Sequence, residues 1–429
     1  MLSILADCFA QDSVTISKIK ALNEKAENFL LKEKSLSSYY TIDNNGISIY
    51  ESPEHKIKGM HEFYVNVNKI EEFKLFLRNS SFAQQADMYK RGSYDNSVQE
   101  KINDSKISVS IPNNSKANTI KNLQGLRIAI DPGHIAGNME MGNIEKKCLT
   151  FKCFGPDGTV DSIAIAEGMI TFATAQLLKE KLEREGAEVF MTRTFNNSSA
   201  FGITFDEWLK TDYIKTVDSL YKTGKLSLSQ KQFFLSSKAS KRDKFRVIFK
   251  DIELAKRAEL INNYKPDFTI IIHYNVDENN TGWTKPAGKN FNMAFVGGAF
   301  MKNDLSSPEK RFEFFRLLIS DDIEESIELS SAVIKNFEKK LNVKTATVKD
   351  ALYLMEGCLL TDEPGVYCRN LQLTRYIHGP LVYGETLYQD NIGECVRLNK
   401  ELDKTKNERV QQVAEAYFQG VLSYVKNKH

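Results

Sequence analysis

From about residue 121 onward, short apolar runs and helix-like stretches take turns along the chain, which restricts the fold to a sheet covered by helices. The runs are LRIAID within 125–131, AEVFMTR at 187–193, DFTIIIHY at 267–274, NMAFVGG at 292–298 and PLVYGE at 380–385. Helical patterns separate them at 161–185, 252–264 and 321–341, and a last one covers about 405–426. A polar stretch with scattered aromatics, about 195–247, breaks the alternation and reads as a helical insertion. Alternation of this kind implies an α/β class with a twisted, mostly parallel sheet, and such sheets bind ligands beyond the carboxyl ends of their strands.

The first 120 residues have a different texture. Residues 12–35 place apolar side chains at helical spacing, and 39–77 turn strand-like, with an NNG turn inside TIDNNGISIYES. Residues 78–120 are rich in Asn, Ser, Lys and Gln and read as a linker. The expected division is therefore a smaller α+β module at 1–120 and the α/β unit at 121–429. The opening MLSILADCFAQD lacks a basic start and Asp7 interrupts its apolar segment, so it fails as a complete secretory signal. No run approaches the roughly 20 apolar residues of a spanning helix. With 58 Lys+Arg against 56 Asp+Glu, net charge gives no reason to expect nucleic acid. Six cysteines follow no CxxC pattern; Cys148/Cys153 and Cys358/Cys368 are close enough to bridge if oxidised, and free thiols are the plainer reading.

Four chemistry-bearing groups fall on one rim of the expected sheet. His134 follows the first strand in DPGH, His273 ends the run IIIHY, Glu385 ends PLVYGE, and Glu167 lies near the start of helix 161–185. Two imidazoles and a carboxylate form a catalytic zinc set that leaves a position open, and a second carboxylate then serves as general base. Taken singly, each has a plainer reading. DPGH is a turn, His273 a satisfied core histidine, Glu167 a first-turn acid and Glu385 a strand-end charge.

Order and context make the set specific. LRIAIDPGHIAG, AIAEGMITFATAQLLKEKLEREGAEVFMTR, ELAKRAELINNYKPDFTIIIHYN and GPLVYGETLYQDN occur in the order found in zinc-dependent N-acetylmuramoyl-L-alanine amidases of type 3, which residues 124–426 resemble. The resemblance implies one zinc ion on His134, Glu167 and His273, with Glu385 as the catalytic glutamate. It also implies that zinc-activated water cleaves the amide between N-acetylmuramic acid and L-alanine in peptidoglycan, in a periplasmic or secreted setting. Arg193, Arg257 and Asn391 match the pattern too, the two arginines as supporting rather than catalytic residues. Alternatives are another zinc amide hydrolase on this fold or a non-catalytic wall-binding relative. Tyr274 departs from the family's small residue and is expected at the groove, where it stacks or donates a hydrogen bond. His378, seven residues before Glu385, reads as a surface-loop histidine or one near the site. The segment 302–331 resembles an inhibitory insertion, with Glu324, Glu325 and Glu328 as residues that would block the zinc until a protein activator relieves them; a solvated acidic helix fits it equally.

Overall fold

A computed structural model describes residues 15–94, 122–154 and 160–428. The N-terminal part builds its own sheet from β1 (Tyr40–Asp43), β2 (Gly46–Ile49), β3 (Phe63–Asn66) and β4 (Ser93–Tyr94), in that order. Asp43 pairs with Gly46 across the expected turn, and Asp43 Oδ1 accepts the backbone N–H groups of Asn45 and Gly46.

Two expectations fail in this part. Residues 70–77 are not strand: Ile70–Asn79 is a helix that buries Ile70, Phe73, Phe76 and Leu77, a three-to-four-residue spacing. Nor does the linker begin at 78. Phe82–Lys90 is a second helix, opened by a reciprocal capping box between Ser81 and Gln84. Its polar composition masked a cap followed by buried Gln85, Met88 and Tyr89. The boundary near 120 and the opening dodecapeptide lie outside the described residues.

The larger sheet comprises β5 (Arg127–Pro132), β8 (Glu188–Met191), β9 (Phe268–Asn275), β10 (Met293–Val296), β11 (Cys358–Leu360), β12 (Val366–Arg369) and β13 (Leu381–Tyr388). Their spatial order is β11-β12-β10-β13-β9-β5-β8. Pairs β5/β8, β5/β9, β9/β13 and β10/β12 are parallel, while β10/β13 and β11/β12 are antiparallel. Helices Glu167–Arg184, Asp322–Leu341 and Glu408–Lys428 bury their apolar stripes over this sheet, so the class is α/β as expected.

The stretch after DPGH holds a second hairpin that periodicity did not reveal: β6 (Cys148–Phe154) pairs antiparallel with β7 (Val160–Ala166). The helix expected at 161–185 therefore starts only at Glu167, because Ile163 and Ile165 are buried in alternation. Insertion 195–247 is helical, with capping boxes Thr204/Glu207, Ser227/Gln230 and Ser240/Asp243. It folds around Phe205, Trp208, Phe245 and Phe249, which pack with Ile135 just after DPGH.

The N-terminal part docks on the segment 302–341. Lys25 pairs with Glu324 at 2.8 Å, Lys74 with Asp321 at 2.7 Å, and Arg311 with Glu62. Glu325 lies 3.8 Å from both Arg78 and Lys428, and Glu328 lies 3.1 Å from Lys428. The three glutamates expected to block the metal are thus paired with cations of the N-terminal part and the last helix, and none lines the cleft described below. Among the described residues the five cysteines are free and buried. Cys148 and Cys153 sit an odd number of places apart on β6 and so face opposite ways. Cys358 and Cys368 are offset by one register on β11 and β12, again on opposite faces. The approach of thiols is instead Cys153 to Cys395, at 3.9 Å.

Candidate metal centre

The central strands supply the site through their register. Glu385 on β13 pairs directly with His273 on β9, and Pro132 at the end of β5 pairs with Ile272. The chain then turns through Gly133 into His134, whose φ of 60° is left-handed backbone that a histidine adopts at a cost of about 1 kcal/mol or more. Its surroundings hold it there. Arg257 donates to the carbonyls of Pro132 (2.8 Å) and His134 (3.1 Å), and Arg193 donates to Pro132 (3.2 Å) and Gly133 (3.4 Å). Thr171 adds a bond to the Gly133 carbonyl at 2.6 Å, and Glu145 accepts the N–H groups of Ile135 and Ala136.

Glu167 occupies the first position of its helix, and its carboxylate lies between the two imidazoles. Oε2 is 3.1 Å from His134 Nε2 and Oε1 is 3.1 Å from His273 Nδ1. One ligand atom from each of the three lies within 4.8 Å of the others. Oε1 also accepts the Tyr274 N–H, at 3.2 Å. Oε2 is buried yet receives no hydrogen bond among the described residues, which is the orphaned lone pair a cation would take up. The residues present therefore fit a nitrogen- and oxygen-ligated divalent metal.

Electrostatics point the same way. Burial works against the charge of Glu167, but His134 and then Lys147 outweigh it and hold its carboxyl well below the usual range. Burial pushes the His273 imidazole down to about 4, keeping it neutral and able to ligate. His134 is also disfavoured as a cation by burial, but Glu167 and Glu145 outweigh that and raise its value. Glu385 is half-buried, and desolvation followed by repulsion from Glu167 raises it to about 7. No hydrogen bond or ion pair engages its carboxylate among the described residues, so it is available to a substrate.

Gly133 has a steric role. A Cβ there would stand 2.3 Å from His273 Cε1 and 2.4 Å from its Nε2. Gly133→Ala is therefore expected to push the imidazole out of line and weaken metal affinity by about tenfold or more; competition with a chromogenic chelator measures it, and unchanged affinity would refute the contact.

Over residues 128–423 the sequence matches the model of one family, described as N-acetylmuramoyl-L-alanine amidase. The chain belongs to that family. It is thus a peptidoglycan hydrolase that cleaves the amide between N-acetylmuramic acid and L-alanine. The CwlD amidase of Clostridioides difficile, solved in complex with the GerS lipoprotein, is 16% identical, with 70% of this chain and 99% of that one covered at a TM-score of 0.37. The apo amidase Ami1 of Mycobacterium abscessus gives the same identity, coverage and TM-score. An amidase of Clostridium difficile 630 is 16% identical over 72% of this chain and 100% of its own, at 0.36. No curated protein sequence matches.

Within this family member, the four residues read from the sequence meet at one place. The others divide. Arg193 and Arg257 support the DPGH turn, as expected. Asn391 caps helix Ile392–Asn399 through the N–H groups of Gly393 and Glu394. Tyr274 does not present its ring to the groove: strand alternation turns it away from His273, and its hydroxyl meets Thr174 Oγ1 at 2.7 Å. His378 is neither a surface histidine nor part of the site, since its Nε2 lies 3.1 Å from the buried Glu313. Tyr383 was missed, although it shares the face of Glu385 two residues on; its ring stacks on His273 at 4.6 Å and 5°. Lys147 was missed as well. It sits 3.9 Å from Glu167 and 4.8 Å above the Trp283 ring, and no local pattern marks it.

Proposed function

We propose that His134, Glu167 and His273 hold one zinc ion and that Glu385 carries the proton in hydrolysis of the muramoyl–L-alanine amide. The observation behind this is the convergence of two imidazoles and an orphaned carboxylate oxygen beside a carboxylate with no partner. Nitrogen donors favour zinc over magnesium or calcium, which prefer all-oxygen shells. When bound, zinc supplies Lewis acidity toward the carbonyl and toward water. Glu385 accepts a proton from the attacking water and delivers it to the L-alanine nitrogen as the C–N bond breaks. Tyr383 fixes the His273 ring plane, and Arg193 with Arg257 hold the turn that presents His134. The enzyme then works outside the cytoplasmic membrane, where peptidoglycan lies.

Metal analysis paired with product analysis tests this. About one zinc per chain is expected, with release of stem peptides that begin at L-alanine, lost on chelation and restored by zinc. A zinc-loaded protein that releases no such peptide from peptidoglycan would end the reading.

A further inference from the structure

The metal centre opens into a cleft of about 960 Å³, and one wall of it comes from the insertion. Arg242, Arg246 and Lys250 line that wall at four-residue spacing on a continuous helical stretch, 241–264. The stretch changes from α to π at Phe245–Phe249 and back again at Lys250. A π turn takes more residues than an α turn, so side chains four apart stay closer to one line along the axis, and such turns concentrate at functional sites. Like charges at this spacing repel and destabilise the helix that carries them. Among the described residues, neither Arg246 nor Lys250 has a carboxylate within salt-bridge distance. Asp243 on the same turn is engaged by Ser240, whose N–H and hydroxyl both donate to Oδ2.

Lys146 and Lys147 line the same cleft, Lys147 with its ammonium 3.9 Å from Glu167. Asp277 and Glu278 also line the cleft, both near Lys289, at 3.6 and 3.5 Å. Arg257 also lines the cleft but is neutralised by Asp131 and Glu253, so it has no charge to spare. Among the described residues, the lining cations with no carboxylate within salt-bridge distance are therefore Lys146, Arg242, Arg246 and Lys250.

We propose that this wall is a carboxylate subsite, in which Arg246 and Lys250 bind the free α-carboxylate of the second residue of the stem peptide. The inference rests on the amidase reading of the same cleft. Once the muramoyl–L-alanine amide is seated at the metal ligands, the L-alanine carboxyl is tied up in the next peptide bond. The first free carboxylate along the stem belongs to the following residue, a D-glutamate joined through its γ-carboxyl. Guanidinium and ammonium groups in a concave site bind a carboxylate through charge-assisted hydrogen bonds. A stem in which this group is amidated offers a neutral carboxamide, which also brings N–H donors against cations.

The test uses zinc-loaded full-length protein and two peptidoglycan preparations, one with a free α-carboxylate at the second stem residue and one amidated there. Released L-alanine-terminated peptides are counted at substrate concentrations below saturation. The wild type is expected to prefer the free acid by about tenfold, the scale of one charge-assisted hydrogen bond. In R246Q/K250Q the ratio of the two rates is expected to fall to about one, with zinc content reporting that the fold is intact. If the double variant loses zinc, R246Q and K250Q singly give the same ratio, and the wild-type comparison stands without them. Equal wild-type rates on both preparations, or a variant that keeps the preference, would overturn the subsite and leave the amidase reading standing. No L-alanine-terminated peptide from either preparation would instead overturn the amidase reading.

Discussion

Replacing Glu385 with glutamine should lower release of stem peptides by about 10²–10⁴-fold while zinc remains bound. The two halves of that result have separate causes. Glu385 is not in the His134, Glu167, His273 cluster, so its removal takes no ligand away. Glutamine keeps the shape of the side chain, and the backbone pairing of position 385 with His273 and Met293 is untouched. The fold should not suffer either. Burial and the neighbouring Glu167 disfavour a charge at 385 more than Lys147, Arg369 and His134 favour it, so a neutral side chain relieves a net penalty. What glutamine cannot do is accept a proton and give it back. His273→Ala should behave differently, losing metal and turnover together. Steady-state rates alongside metal content separate the two variants. Near-wild-type turnover in the glutamine variant would remove Glu385 from the chemistry, and loss of zinc would make it a ligand.

The parts of this molecule that could be read from the sequence are those in which local pattern and tertiary role coincide. β9 is buried on both faces, so DFTIIIHY announced itself as an apolar run, and His273 stood out as its polar end. DPGH marked the end of β5 because the turn residues follow an apolar run directly. β6 and β7 were hidden for the opposite reason. Their residues include Lys152 and Ser162 on one face and Leu149 and Ile165 on the other, and the second strand runs without a break into helix Glu167–Arg184, so helical spacing absorbed it. The cleft wall could not be read either. Arg242, Arg246 and Lys250 look like any solvated helix face until the insertion is seen to fold back toward His134. Glu324, Glu325 and Glu328 failed in the complementary way. An acidic run says nothing about which cations it will meet, and here these are Lys25, Arg78 and Lys428, distant in sequence.

Arg257→Met is expected to destabilise the protein by about 3–5 kcal/mol, the cost of leaving buried charges without their partner. Arg257 is 1% exposed, and its guanidinium bridges two buried carboxylates, donating to Glu253 at 2.8 Å and to Asp131 at 3.1 Å. These two acids outweigh the burial cost and raise its pKa above the ordinary arginine value. Methionine fills much of the volume but strands Asp131 and Glu253 in the interior; it also removes the donor to the His134 carbonyl and leaves Pro132 with Arg193 alone. Lysine should not rescue it, because one ammonium cannot reproduce a planar fork that reaches two carboxylates and two carbonyls at once. Arg193 supplies the internal comparison. It is equally buried and bonds carbonyls of the same turn, but among the described residues no carboxylate bonds it, and burial followed by the Arg257 charge lowers its pKa to about 9. Arg193→Met removes donors without orphaning an acid and should cost less, on the order of 1–3 kcal/mol. Urea unfolding of both variants, with zinc affinity measured on each, decides the matter. If Arg257→Met unfolds at the wild-type midpoint, or if the two variants lose the same stability, the buried carboxylates are not what makes Arg257 indispensable to the turn that presents His134.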